Sequence, residues 1–148
     1  MSPPLTEWCN RLDEYGKTYI DGDYGLVIGT QPKDAKHPLW LAVTSFDLFG
    51  DGPRIKQLHA YTNEWSKDQD RQKEVMQNYR WEFGLVNLIA LWADRVELSN
   101  VYIRGVANNA YKHDLGEERV ALRYDVTAKR LGFLPDGDTG DYVLALKK

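Results

Sequence analysis

Apolar positions along the 148-residue chain change their spacing several times, and each change predicts a new element. In residues 6–15 apolar side chains recur every three or four positions, which predicts a first helix. Three β-type runs follow at 24–29, 38–49 and 54–65, rich in β-branched and aromatic residues. Turn sequences such as Gly50 to Pro53 separate them. We expect three antiparallel strands in this part of the chain.

The second half of the chain alternates between helical and β-type spacing. A helical stripe runs from Val75 to Val96, and residues 85–93 are apolar on nearly every face, which predicts a helix buried on most sides. Within it we expect Gly84 to be a kink or a close-packing point, Trp92 to lie in the core and Trp81 to reach the surface. A strand over 101–106, a loop over 107–114, a helix over 115–131 and a final β-hairpin follow.

The resulting order α-βββ-α-β-α-ββ predicts an α/β (α+β) fold in a single domain spanning residues 1–148. The strands at 54–65 and 101–106, joined by the long helix, require a right-handed crossover if they lie parallel in one sheet. We therefore expect a mixed central sheet with helices on both faces. Where two central strands of such a sheet part, an opening forms near their carboxyl ends, and ligands bind there. Those ends would lie near 62–65 and 104–107.

The end of the chain carries a resemblance to a known family. Residues 123–148 read "RYDVTAKRLGFLPDGDTGDYVLALKK". Together with the element order, this stretch resembles the closing helix, Gly-Phe exit and final hairpin of the GCN5-related N-acetyltransferases (the GNAT family). The resemblance implies a GNAT-like fold that lacks or disguises its first strand. It also implies an acyl-CoA-dependent N-acyltransferase that moves an acetyl group from acetyl-CoA to an amine of a protein or a small molecule.

The same resemblance implies a set of catalytic residues. Glu64, at the end of the third strand, would be the base that deprotonates the amine, directly or through a water molecule, and His59 on the same strand is the alternative. Tyr124 would be the acid, one helical turn from Ala128, where the family has its tyrosine. Each residue also fits an ordinary structural role: a loop-edge carboxylate, a structural histidine and a packed tyrosine.

Coenzyme contacts follow from the resemblance in the same way. Tyr61, Thr62 and Asn63 at the strand opening would hold the pantetheine arm. The family's glycine-rich phosphate loop corresponds here to "SKDQDRQKEV", which contains no glycine. Backbone amides then approach a pyrophosphate less easily, so phosphate contacts would depend on Arg71, Lys73 and the N-terminus of the helix.

The glycine-free segment favours a second interpretation, in which the same scaffold has lost the coenzyme and binds a protein partner without catalysis. A third interpretation is a small-ligand binder that uses an aromatic cleft, because the chain has five Trp and nine Tyr. One scaffold hosts many functions, so the fold does not decide among the three.

Composition limits the kinds of partner and the cellular compartment that we expect for this protein. With 19 Lys and Arg against 22 Asp and Glu, the net charge of −3 gives no basic footprint, so nucleic acid is not expected as a partner. A single cysteine and no secretory signal pattern predict a cytoplasmic protein, and the longest apolar run is too short to span a membrane. Three scattered histidines and one cysteine predict no metal site.

Overall fold

The computed structural model describes residues 21–30, 33, 39–60 and 70–147, and in them six strands form one open mixed sheet. The strands are β1 Tyr24–Thr30, β2 Leu39–Phe49, β3 Gly52–Ala60, β4 Asn100–Ile103, β5 Leu134–Pro135 and β6 Tyr142–Ala145. Their order across the sheet is β1-β2-β3-β4-β6-β5. β3 and β4 are parallel, and the other neighbouring pairs are antiparallel. The predicted α+β class and the three antiparallel strands are confirmed.

The helices of the described residues precede and follow β4. They are α1 Asp70–Tyr79, α2 Trp81–Arg95, α3 Lys112–Leu115, α4 Glu117–Val120 and α5 Val126–Arg130, with a 3₁₀ turn at Val106–Asn108. A π-helical segment, Ala121–Asp125, joins α4 to α5, and we call the continuous run 117–130 the closing helix. The helix predicted at 6–15 lies outside the described residues.

The long helix predicted before β4 is two helices, because the chain breaks at Arg80. Arg80 takes a left-handed conformation with φ of 48°, which an α-helix cannot contain. Its carbonyl oxygen accepts the Phe83 N–H at 2.9 Å, and so starts α2. The kink expected at Gly84 is wrong: Gly84 is exposed inside α2, and a Cβ there would meet no atom within 4 Å.

Both long helical runs, α2 and the closing helix, pack on the same face of the sheet, so the expectation of helices on both faces is not met by the helices of the described residues. Side chains paired across neighbouring strands share a face, and one such row joins Phe46, Ile55, Ile103 and Tyr142 across β2, β3, β4 and β6. At one end of this row the Phe46 ring contacts Trp92 of α2, with ring centroids 5.7 Å apart. At the other end the Tyr142 hydroxyl donates to Asp125 of the closing helix at 3.1 Å. The core lies between this row and the two helices.

Helix α2 buries one stripe only, so the expectation of a helix buried on most sides is wrong. Trp81 is 6% exposed, whereas Trp92 is 41% and Leu91 63% exposed, which reverses the prediction for the two tryptophans. The break at Arg80 makes Trp81 the first residue of a new helix, on its sheet-facing side. The buried stripe consists of Trp81, Leu85, Val86, Ile89 and Ala93.

Candidate functional site

The two parallel strands at the centre of the sheet part soon after they meet. β3 and β4 pair through Arg54 with Tyr102 and Ile55 with Ile103, and the Arg104 N–H donates to the Ile55 carbonyl at 3.0 Å. β4 ends at Ile103, three residues before the predicted end, whereas β3 continues to Ala60. The edge of β3 beyond Ile55 therefore has no strand beside it in the described part of the chain, and an opening forms there.

A β-bulge in β3 lies where the two strands separate. Ser45 pairs with Gln57 but Phe46 pairs with Ile55, so Lys56 is an extra residue in β3. A bulge of this kind bends its strand and increases the local twist. Lys56 is held by Asp47 of β2 at 3.1 Å. The bulge lies at the residue after the last β3–β4 pair, so it coincides with the point where the two strands part.

The side chain of Tyr124 occupies the free edge of β3. Its phenolic oxygen accepts the Leu58 N–H at 2.8 Å, and its hydroxyl lies 3.4 Å from the Leu58 carbonyl oxygen. Tyr124 belongs to the π-helical segment of the closing helix, and such segments are frequent at functional sites. Burial raises the pKa of Tyr124, so its hydroxyl keeps its proton at neutral pH.

Asn109 lies next to the Tyr124 hydroxyl and is 1% exposed. Its Oδ1 accepts the Tyr111 N–H at 3.0 Å, which forms an Asx turn. Its Nδ2 faces the Tyr124 hydroxyl, and the contact partly offsets the effect of burial on the tyrosine's pKa. No hydrogen bond of normal geometry joins the two, and Nδ2 has no partner among the residues that the structure describes.

His59 follows Leu58 in β3 and therefore points to the opposite face of the sheet, paired with Val43 of β2. The side chain is half-buried. Burial, and then the positive charge of Arg123, lower the pKa of His59 below its ordinary value of 6.5. The imidazole is therefore neutral at pH 7 and can accept a proton.

A cleft of about 390 Å³ opens beside Tyr124, between the start of α2 and the closing helix. Its walls combine apolar side chains with two arginines and one carboxylate. The Arg123 guanidinium lies over the Trp81 ring, 5.6 Å from its centroid, which ties the two helices together at the cleft. The lining residues are Glu82, Leu115, Arg119, Val120, Leu122, Arg123 and Tyr124.

A second groove, of about 410 Å³, lies at the other end of the same sheet face, between α2 and β1. Its walls are almost entirely apolar, and the stacked rings of Tyr24 and Phe46 form one side, with centroids 5.6 Å apart. The remaining lining residues are Gly25, Leu26, Leu88, Ile89 and Trp92. Among its described lining residues this groove offers apolar contact and, besides the Tyr24 hydroxyl, no polar side chain.

Of the predicted catalytic residues, the structure places Tyr124 at the free edge of β3 and His59 on the same strand, with its side chain on the opposite face of the sheet. The other predicted positions are not described there. Glu64, Tyr61, Thr62 and Asn63 lie outside the described residues, and of Arg71 and Lys73 only the backbone, in α1, is described. Their predicted roles stay predictions.

Asn109 was not predicted, because the sequence around it indicates only a loop. Two consecutive asparagines in such a segment are typical of a turn, and nothing local shows that the Asn109 amide reaches Tyr124. Within residues 21–30, 39–60 and 70–147, no three His, Cys, Asp or Glu side chains come together as a metal site needs. No helix in the described ranges combines the length and the apolar character that crossing a membrane requires.

Comparisons with known proteins were made at three levels: family models, curated proteins and solved structures. None of the three finds a match to this chain.

Proposed function

We propose that the protein is an acyl-CoA-dependent N-acyltransferase that moves an acetyl group from acetyl-CoA to an amine, on a GNAT-like scaffold. One observation carries the proposal: two central parallel strands part at a bulge, and a protonated tyrosine lies against the free edge between them. In open mixed sheets ligands bind where central strands part, beyond their carboxyl ends. The closing β-hairpin, inserted with β6 next to β4, also agrees with the expected scaffold.

The protonation states of His59 and Tyr124 suit the two proton transfers of the reaction. The amine nitrogen attacks the thioester carbon, the new C–N bond forms, and the C–S bond breaks. A neutral His59 accepts the proton that the amine loses, and Tyr124 supplies a proton to the departing thiolate. Glu64 remains the alternative base.

The cleft beside Tyr124 offers a place for the rest of the coenzyme. Leu115, Val120 and Leu122 give apolar contact for a pantetheine arm, and Arg119 and Arg123 provide guanidinium groups for phosphate oxygens. These two arginines of the closing helix would supply the contacts to phosphate. The glycine-free segment 66–75, which leads into α1, is less suited to make them.

The first test is thermal unfolding with and without acetyl-CoA, with free CoA as a second ligand. A ligand at about a hundred times its dissociation constant stabilises the folded state by roughly 2.7 kcal/mol. We expect a saturable increase in Tm with both ligands, and a smaller one for a variant carrying Arg119→Gln and Arg123→Gln. The absence of any increase at millimolar acetyl-CoA contradicts the proposal.

The base is identified by turnover, measured as release of free thiol from acetyl-CoA in the presence of an amine. His59→Gln and Glu64→Gln remove the two candidate bases while keeping a side chain of similar size. We expect the rate to fall at least tenfold in the variant that lacks the base, because general base catalysis contributes about 10²- to 10⁴-fold. Equal rates in both variants and the native protein remove both residues from the mechanism.

A second candidate function is a protein-binding domain without catalysis. Two observations favour it: Tyr124 fills part of the opening, and α2 exposes apolar side chains next to the apolar groove. Contiguous exposed apolar surface often marks a site of interaction. The thermal-unfolding experiment separates the two candidates, because this one requires no response to acetyl-CoA or CoA.

A further inference from the structure

Two hydrogen-bond donors at the opening are not fully used. The Tyr124 hydroxyl reaches the Leu58 carbonyl oxygen only at 3.4 Å, which is long for an O–H···O bond. Asn109 Nδ2 is buried and has no partner among the described residues. Most buried polar groups in native proteins are hydrogen-bonded, and an exception calls for an explanation such as a catalytic role.

The surroundings of Asn109 fix where its free donor points. Oδ1 is held by the Tyr111 N–H at 3.0 Å, and the backbone N–H of Asn109 donates to the Val106 carbonyl at 3.3 Å. With the amide oxygen held by the turn, the nitrogen is the atom of the amide left for the neighbouring Tyr124 hydroxyl, and the lowering effect of Asn109 on the pKa of Tyr124 agrees with a donor there. The donor is thus oriented before any ligand arrives, which is the condition for electrostatic stabilisation of a transition state.

The position of the donor distinguishes it from other unpaired polar atoms. The hydroxyls of Thr44 and Ser45 and the Nε of Arg54 are also buried without partners among the described residues. The two hydroxyls belong to β2, on the far side of β3 from the opening, and the Arg54 guanidinium is paired with Asp141. Asn109 follows β4 and lies against the tyrosine that occupies the edge of β3. Asn109 and the Tyr124 hydroxyl are therefore neighbours at the edge of β3 that β4 leaves free.

We propose that Asn109 is a catalytic residue whose Nδ2–H donates to the carbonyl oxygen of the acyl thioester in the opening. This inference rests on the proposed acyltransferase function. When the amine attacks the thioester carbon, the C=O π electrons move to this oxygen, and Asn109 stabilises the negative charge that develops. When the C=O bond re-forms, the C–S bond breaks and the thiolate takes the proton of Tyr124.

The test uses two variants that keep the turn and remove the donor. Asp and Ser both accept a hydrogen bond from the backbone two residues on, so Asn109→Asp and Asn109→Ser preserve the contact with Tyr111. We expect kcat with acetyl-CoA to fall about 10²- to 10³-fold in both, the usual effect of removing one such donor. Asn87→Asp, an exposed position on α2, is the control and keeps the native kcat.

A second measurement separates catalysis from a merely structural role. An S-ethyl thioether of CoA lacks the carbonyl oxygen, so we expect the native protein to bind acetyl-CoA more tightly than the thioether. In Asn109→Ser this preference disappears, while affinity for the thioether is unchanged. Ser adds no buried charge, so this variant decides the question if Asn109→Asp does not fold.

The outcomes distinguish this inference from the function on which it rests. In one outcome the native protein turns over acetyl-CoA, and the Asn109→Ser variant keeps the native kcat or the preference for acetyl-CoA. This outcome overturns the role of Asn109 and leaves the proposed function intact. Native protein that neither binds nor turns over acetyl-CoA overturns both. Loss of kcat and of the preference in a folded Asn109→Ser variant supports the role.

Discussion

Two residues, His59 and Tyr124, have pKa values shifted in opposite directions by a shared cause. Burial disfavours the charged form of each group, so it lowers the pKa of the imidazole and raises the pKa of the phenol. Both groups are therefore uncharged over a wide range around neutral pH. Acyl transfer to an amine requires an uncharged base and an uncharged acid, and these two groups have those protonation states.

This pair predicts the pH dependence of kcat/KM, measured with an acceptor amine of low pKa that stays uncharged throughout. The imidazole must be neutral, so activity falls as the pH decreases through the lowered pKa of His59, below 6.5. The phenol must be protonated, so activity also falls as the pH rises through the raised pKa of Tyr124, above 10. Between these limits we expect a plateau, because kcat/KM reports the groups of the free enzyme.

Single substitutions assign the two limbs of that profile. His59→Gln should remove the acidic limb, and Tyr124→Phe should remove the alkaline limb while lowering the plateau. Tyr124→Phe also leaves the Leu58 N–H without its acceptor, which costs about 1–3 kcal/mol of stability, so its activity is measured well below its own Tm. An acidic limb that survives in His59→Gln assigns the base to another group.

Among the elements, α2 contains a glycine that the fold does not need. Gly84 is exposed in the helix interior, and a Cβ there meets nothing within 4 Å. We therefore expect Gly84→Ala to stabilise the protein by about 0.5–1 kcal/mol, through the lower conformational entropy of the unfolded chain. Chemical denaturation measures this as a higher midpoint with an unchanged m-value.

The matched comparison for Gly84 is Arg80, where the backbone is left-handed. Arg80→Gly relieves the cost of that conformation, whereas Arg80→Ala keeps it and loses the contact of the guanidinium with the Phe83 ring. At position 80 the glycine variant should therefore be more stable than the alanine variant. At position 84 the alanine variant should be more stable than the native protein with glycine. The opposite order at either position is inconsistent with a helix break at Arg80.

Some elements could be predicted from the sequence because their signals are local. The β1–β3 strands have β-branched and aromatic runs bounded by turn residues, and Val120, Tyr124 and Ala128 fall on one helical stripe that is buried as expected. The break at Arg80 has no such signal, since arginine is an ordinary helix former and Gly84 is the residue that suggests a break. The opening coincides with the Lys56 bulge, which is defined by the pairing of β3 with β2 and so has no local signal in the sequence.

The candidate site could be predicted only in part, because it depends on contacts between residues far apart in the sequence. The contact of Tyr124 with Leu58 joins residues 66 positions apart, and the sequence indicates the tyrosine only through the resemblance of the closing segment. Asn109 reaches the site because β4 ends at Ile103 and the chain turns back towards the closing helix. Neither fact can be obtained from spacing along the chain.

The whole molecule presents an apolar surface that its own described residues do not cover. The outward side of α2 exposes Leu88, Leu91 and Trp92, next to the apolar groove along β1. Apolar residues all round a helix indicate burial on several sides. The sequence of α2 therefore predicts a covered outer face, whereas this face is exposed in the structure of the described residues.

Two leucines on opposite sides of α2 test whether this face is exposed to solvent. Leu91 is 63% exposed, so Leu91→Glu should change the free energy of unfolding by no more than about 0.5 kcal/mol. Leu85 is 1% exposed in the core, so Leu85→Ala should cost about 2–5 kcal/mol. Urea denaturation measures both, and sedimentation velocity reports the mass of each variant. If Leu91→Glu loses several kcal/mol of stability, or sediments with a smaller mass than the native protein, another segment or another molecule covers this face. That result favours the protein-binding function over catalysis alone.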